Sequence, residues 1–157
     1  MKRLILGVIA IAITLIGIYT FYIIKDQEYV YAKKSANILL EFELPKKTKA
    51  LKEGFDYGVL YGGGPWGSGG RPTVVAYKRI STELSEKEIY KHYNTNDFEI
   101  YFDGLEDIIE NSKGQIWYEG TIKDEHVLSS ESNENKPIEV IVQYRTEFSY
   151  PLFIDLH

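Results

Sequence analysis

Hydrophobic and polar positions along the chain fall into three regimes. The first is an unbroken apolar run, "LILGVIAIAITLIGIYTFYII", residues 4–24, which carries no charge. A helix rises ~1.5 Å per residue, so a run of this length reaches ~31 Å, the thickness of a bilayer's hydrocarbon core. Lipid offers the backbone no partners, and a helix satisfies every group internally. That requirement overrides the weak helix preference of the β-branched isoleucines. The run outlasts the ~7–15-residue core of a cleaved signal peptide. Its flank, "GIYTFYIIKDQEY", is bulky where a cleavage site needs small residues. A buried core helix of this length and uniformity would not fit a domain this small. An uncleaved, single-pass membrane anchor is therefore expected, with residues 4–24 in contact with the lipid bilayer.

Lys2 and Arg3 precede the run, whereas Lys25, Lys33 and Lys34 follow it among Asp26 and Glu28. The tight basic cluster at the start predicts a cytoplasmic N-terminus and a C-terminal domain outside the cell membrane. Tyr19, Tyr22 and Tyr29 then form an aromatic belt at the outer surface.

The second regime, residues 25–45, has helical period. Ala32, Ala36, Leu39 and Leu40 share one face, and Pro45 ends the run. Over its last part an alternation competes, with Ile38, Leu40, Phe42 and Leu44 set against Glu41 and Glu43. A helix continuing out of the membrane is the reading preferred. The domain plan is thus an anchor at 1–24, a helical linker at 25–45 and an extracytoplasmic α+β domain at 46–157.

The third regime alternates with period two. Strands are expected at 50–61, 73–81, 98–102, 115–123 and 137–148, the first two pairing as a hairpin. Gly54 and Gly58 mark bends or bulges within the first. In 137–148, Ile138, Val140, Val142, Tyr144, Thr146 and Phe148 point one way. Glu139, Gln143, Arg145 and Glu147 point the other, as in a half-buried antiparallel strand. Between these strands "LSEKEIYKHY" carries a capping box. Ser85 caps the helix, Glu88 returns a bond to the Ser85 amide, and Leu84 and Ile89 occupy the staple positions. A helix from about Glu86 to Tyr93 follows. Residues 103–114 read as a turn with a helical turn after it, 124–137 as a mobile polar loop, and 150–157 as a short last strand. The fold class is α+β: an N-terminal transmembrane helix, then an antiparallel sheet of about five strands packed with one short helix.

Composition narrows the function. At 44% apolar and 26% charged the chain belongs with folded proteins. The absence of cysteine removes disulfides, cysteine zinc sites and thiol catalysis. Setting aside Lys2 and Arg3, the only charged side chains before residue 25, the net charge falls from −5 to −7. A negative domain disfavours nucleic acid and anionic lipid as partners. "KKTKALK", with Lys46, Lys47, Lys49 and Lys52, reads as a solvated strand edge that lysine protects from unwanted pairing.

One stretch looks like a motif. "YGGGPWGSGGRP", residues 61–72, contains a letter-for-letter G-x-G-x-x-G at Gly62–Gly67. A dinucleotide site needs a helix to open at the third glycine, and a P-loop needs Lys-Ser/Thr after its last. Here Arg71-Pro72 and a β-branched strand follow instead. The stretch reads as a long hairpin loop, and no nucleotide or other cofactor is expected. Two readings of Trp66 stand: it folds back over the sheet, or it is an exposed contact for another envelope protein, a peptide or a glycan. In the second reading Tyr57, Tyr61, Trp66 and Arg71 are the contact residues, and Tyr77 shares their surface.

Candidates for chemistry are sparse. Glu88 and His92 stand four apart, but a solvated pair is preferred to a metal site because the second histidine of H-E-x-x-H is missing. Acidic residues gather at Asp97, Glu99, Asp103, Glu106, Asp107 and Glu110 without calcium-loop spacing. The first functional expectation is a non-catalytic binding or accessory domain of the cell envelope. The alternative is a membrane-tethered hydrolase using carboxylates of the 97–110 region. A third, an anchor whose helix is itself the contact, draws little from Gly7 and Gly17, which are too far apart for a G-x-x-x-G seam.

Overall fold

The computed structural model describes residues 2–58, 73–102, 106–111 and 114–147. The expected last strand at 150–157 and most of the glycine-rich stretch lie outside these residues. The first element, α1 (Lys2–Leu40), is one continuous helix of 39 residues, ~58 Å long at the standard rise. Its early part is apolar all round and exposed: Ile11, Ile13, Leu15 and Ile16 project from it uncovered. Its later part is amphipathic, as the spacing predicts, and Ala32, Ala36 and Leu39 are fully buried. Alanine at two of these positions lets the helix axis lie close to the sheet.

Beyond α1 come β1 (Thr48–Gly58), β2 (Thr73–Thr82), α2 (Glu86–Tyr93), β3 (Glu99–Phe102), β4 (Glu106–Glu110), β5 (Ile116–Gly120) and β6 (Ile138–Glu147). The domain is α+β with six strands among the described residues, in two sheets rather than one. The main sheet is antiparallel with order β1-β2-β6-β3; β4 and β5 form a separate two-stranded ribbon. The β1–β2 hairpin pairs from Thr48↔Thr82 to Gly58↔Thr73, with one bulge between Ala50 and Lys52. The bulge is therefore at Leu51, not at either glycine. Gly54 serves a different purpose: a Cβ there would stand 3.0 Å from the Tyr77 hydroxyl on the neighbouring strand. β1 is an edge strand with Lys49 and Lys52 exposed, in keeping with the lysine-protected edge.

Two layers cover the main sheet. On one face α1 and α2 meet Val74, Ala76, Ile80, Val140 and Val142 in the principal core. α2 spans the residues expected, and both halves of the capping box are present. The Ser85 amide donates to Glu88 Oε2 at 2.9 Å. The C-terminal end of α1 is held by Lys78, whose Nζ donates to the Phe42 carbonyl at 2.9 Å. Burial lowers the Lys78 pKa, and Glu53 partly offsets this. A cation at a helix C-terminus also meets the negative end of the dipole.

The β4–β5 ribbon lies on the opposite face, and here the expectations need correction. Residues 106–110 are a strand, not a helical turn. β6 is not half-buried: Gln143, assigned to a solvated face, is wholly buried beneath β5. The loop at 124–137 is pinned rather than mobile. Leu128 is buried in the core, the Asn133 side chain donates to the Leu84 carbonyl at 2.7 Å, and the Ser129 amide donates to Glu86 at 3.0 Å. A single leucine in a polar stretch gave no periodicity from which to see this.

Candidate functional site: the helix–sheet junction and the inter-sheet network

Positions 19, 22, 26 and 29 of α1 are spaced by three and four residues, so they stack on one helical face. The same spacing continues through Ala32, Ala36 and Leu39. The face that docks on the sheet therefore extends beyond the sheet's end as a stripe of Tyr19, Tyr22, Asp26 and Tyr29. The last turn of this stripe meets β1. The Tyr29 ring lies 5.8 Å from Phe55 and 6.2 Å from Tyr57, centroid to centroid. Below that contact an open cleft of about 460 Å³ is lined by Tyr19, Tyr22, Ile23, Asp26, Tyr29 and Tyr57. Burial raises the Tyr57 pKa first, with further contributions from Glu28 and Tyr29. Lys33 places its ammonium 6.0 Å above the Tyr29 ring centroid, a cation–π contact.

Of the four contact residues expected from sequence, the structure places Tyr57 in this cleft. Tyr61, Trp66 and Arg71 lie outside the described residues. Tyr77 does not share a surface with Tyr57. In the hairpin register Tyr57 faces Val74, and Tyr77 faces Gly54 three residues away, so the two rings point to opposite sides of the sheet. Tyr77 is buried against Tyr118 at 5.2 Å between centroids. The odd spacing along one strand and the hairpin register separate them, and composition alone could not.

The second cluster was missed by sequence reasoning. β5 turns its outer edge toward the main sheet, and side chains complete its hydrogen bonds. The Ile116 amide donates to Asp56 Oδ2 at 2.8 Å. The Tyr118 amide donates to Gln143 Oε1 at 2.8 Å, and Gln143 Nε2 donates back to the Tyr118 carbonyl at 2.9 Å. Gln115 Nε2 donates to the Tyr57 carbonyl at 2.6 Å. Beside this seam Glu99 accepts from Arg145 Nε at 2.8 Å, Arg145 Nη2 at 2.7 Å, the Tyr101 hydroxyl at 2.8 Å and Gln143 Nε2 at 2.7 Å. Burial, and then the neighbouring Glu99, pushes the Tyr101 hydroxyl well above its ordinary pKa. The polar positions at Gln143 and Arg145 were the available signal, but their partners are 44 and 46 residues away.

This network also bears on acid–base chemistry. Glu99 is neutralised by arginine and saturated with donors. Asp107 and Glu110 are both solvent-facing on β4; Asp103 lies outside the described residues. Glu88 is exposed and engaged by Ser85 in the capping box, whereas His92 is half-buried with its Nε2 2.8 Å from the Glu43 carbonyl. Among the described residues no group of three or more His, Cys, Asp or Glu side chains could hold a metal ion. The chain matches no protein-family model, no curated protein and no solved structure.

Proposed function

We propose that this chain is a single-pass membrane-anchored protein whose extracytoplasmic α+β domain serves as a non-catalytic binding or accessory module of the cell envelope. The observation that carries the reading is the apolar part of α1. The helix is long and apolar enough to cross a membrane, and none of its most apolar 18-residue window is buried by the rest of the chain. Exposed Ile and Leu along several turns oppose solution in water, at roughly 25 cal/mol for each Å² left uncovered. The binding role is supported by the tyrosine-lined cleft at the junction, whose lining includes Tyr57. The occupied state of Glu99 weighs against its serving as a free catalytic base.

Two measurements test the reading. Alkaline carbonate extraction of cells expressing the full chain is expected to leave it in the membrane pellet; release into the supernatant refutes the anchor. The absence of native cysteine makes any introduced one unique. In intact cells an impermeant maleimide is expected to label Ser130→Cys, on an exposed loop, and to reach Lys2→Cys only after permeabilisation. The reverse pattern refutes the orientation.

A further inference from the structure

We infer that the cleft at the helix–sheet junction is a binding site for the primary ammonium headgroup of a zwitterionic phospholipid of the ethanolamine class. The inference rests on the membrane-anchor reading and goes beyond it by naming the ligand. Three observations carry it. The first is position: the cleft begins at Tyr19 and ends at Tyr57, which spans the stretch where α1 passes from its apolar run to its docked segment. In the anchored reading this is the level of the headgroups.

The second is chemistry. Among the described residues the lining offers four phenol rings, one carboxylate and one isoleucine. Ring faces and a carboxylate attract a cation. Asp26 can accept from an ammonium N–H, while Ile23 and the lower rings lie against acyl chain. The third is precedent within the molecule: the ammonium of Lys33 already sits over the Tyr29 ring. The stripe Tyr19, Tyr22 and Asp26 is the uncovered continuation of a helix face that is elsewhere buried on the sheet, and the groove lies between that stripe and Tyr57 at the end of β1.

The test uses the full chain in neutral detergent micelles. Short-chain phosphatidylethanolamine and short-chain phosphatidylglycerol are titrated separately, with bound lipid counted by native mass spectrometry. Phosphatidylethanolamine is expected to bind at least ~10-fold more tightly, because the cation–π and carboxylate contacts are both lost without the ammonium. Asp26→Asn and Tyr22→Ala are each expected to erase that preference while leaving the near-ultraviolet circular dichroism of the domain unchanged. Equal affinity for the two lipids, or an unchanged preference in Asp26→Asn, overturns the inference. Competition by free ethanolamine at the same concentration as the lipid also overturns it, since the site would then read an amine rather than a phospholipid. Release by carbonate would sink the anchor reading instead, and the micelle titration does not depend on that result.

Discussion

Gln143 is the side chain on which the two layers of strands depend, and replacing it with methionine isolates its contribution. Methionine has similar length and volume, so the packing term is small. What is lost is chemical. The Tyr118 amide and carbonyl both lose the partner that Gln143 supplies at 2.8 and 2.9 Å, in a fully buried position. Removing one partner from a buried backbone group costs about 1–3 kcal/mol, so two such groups cost about 2–6 kcal/mol. Glu99 also loses one of its donors. Methionine regains part of this by burying apolar surface, which leaves about 3 kcal/mol as the expected net loss. For a domain of this size each kcal/mol moves Tm by roughly 4 °C, so a fall of about 12 °C is expected. The assay is thermal unfolding of the full chain in micelles, followed by near-ultraviolet circular dichroism. That signal reports Tyr77 and Tyr101 of the main sheet, which are buried together with Tyr118 of the ribbon. Gln143→Glu is expected to be worse than Gln143→Met at neutral pH, because it replaces a donor with a charge facing Glu99 and the Tyr118 carbonyl. A fall in Tm of less than ~3 °C for Gln143→Met, or a milder effect of Gln143→Glu, would refute the claim that side chains stand in for a strand at this seam.

Three further outcomes follow from the same structure. Ser85→Ala should cost about 1 kcal/mol by removing the cap of α2, and a thermal melt with no shift would contradict the capping role. The Tyr93 hydroxyl is buried without a hydrogen-bond partner, so Tyr93→Phe should raise stability by about 1 kcal/mol in a urea titration. Burial pushes the Tyr93 hydroxyl up to about 12. Its folded pKa lies above the unfolded value of 10.0, so its contribution is intact below pH 10 and is lost as pH rises toward 12. Phenolate absorbance should therefore rise together with unfolding in that window, and Tyr93→Phe should shift the alkaline transition upward. Gly54→Ala should destabilise by about 1 kcal/mol, since its Cβ would press on the Tyr77 hydroxyl at 3.0 Å, whereas an open site would have gained from the loss of chain entropy.

What could be read in the sequence was local. The capping box, the staple of Leu84 on Ile89, the helical face through Ala32, Ala36 and Leu39, and the β-branched run of β2 all rest on spacings within a few residues. What could not be read was set by contacts between distant parts of the chain. β4, "EDIIE", places its two isoleucines side by side, so it shows no alternation. Only Ile109 packs inward, against Val75 and Trp117, while Ile108 is exposed. The polar face of β6 looked solvated because nothing in its own residues announces the ribbon that covers it. Tyr57 fell in the cleft for a reason the composition did not contain: its partner is Tyr29, on the helix, and not Tyr77, which stands three positions past the opposite residue on β2 and so on the other face.

The unbroken course of α1 has one more implication. Because its apolar turns and its docked turns belong to a single rod, the number of residues between them sets a compass bearing. Each residue added or removed near 25–28 would swing the sheet by about 100° around the rod and displace it by only about 1.5 Å. A single-residue insertion would thus point the tyrosine-lined groove a different way while scarcely changing its height. Seven inserted residues, close to two full turns, would restore the original heading about 10 Å farther along.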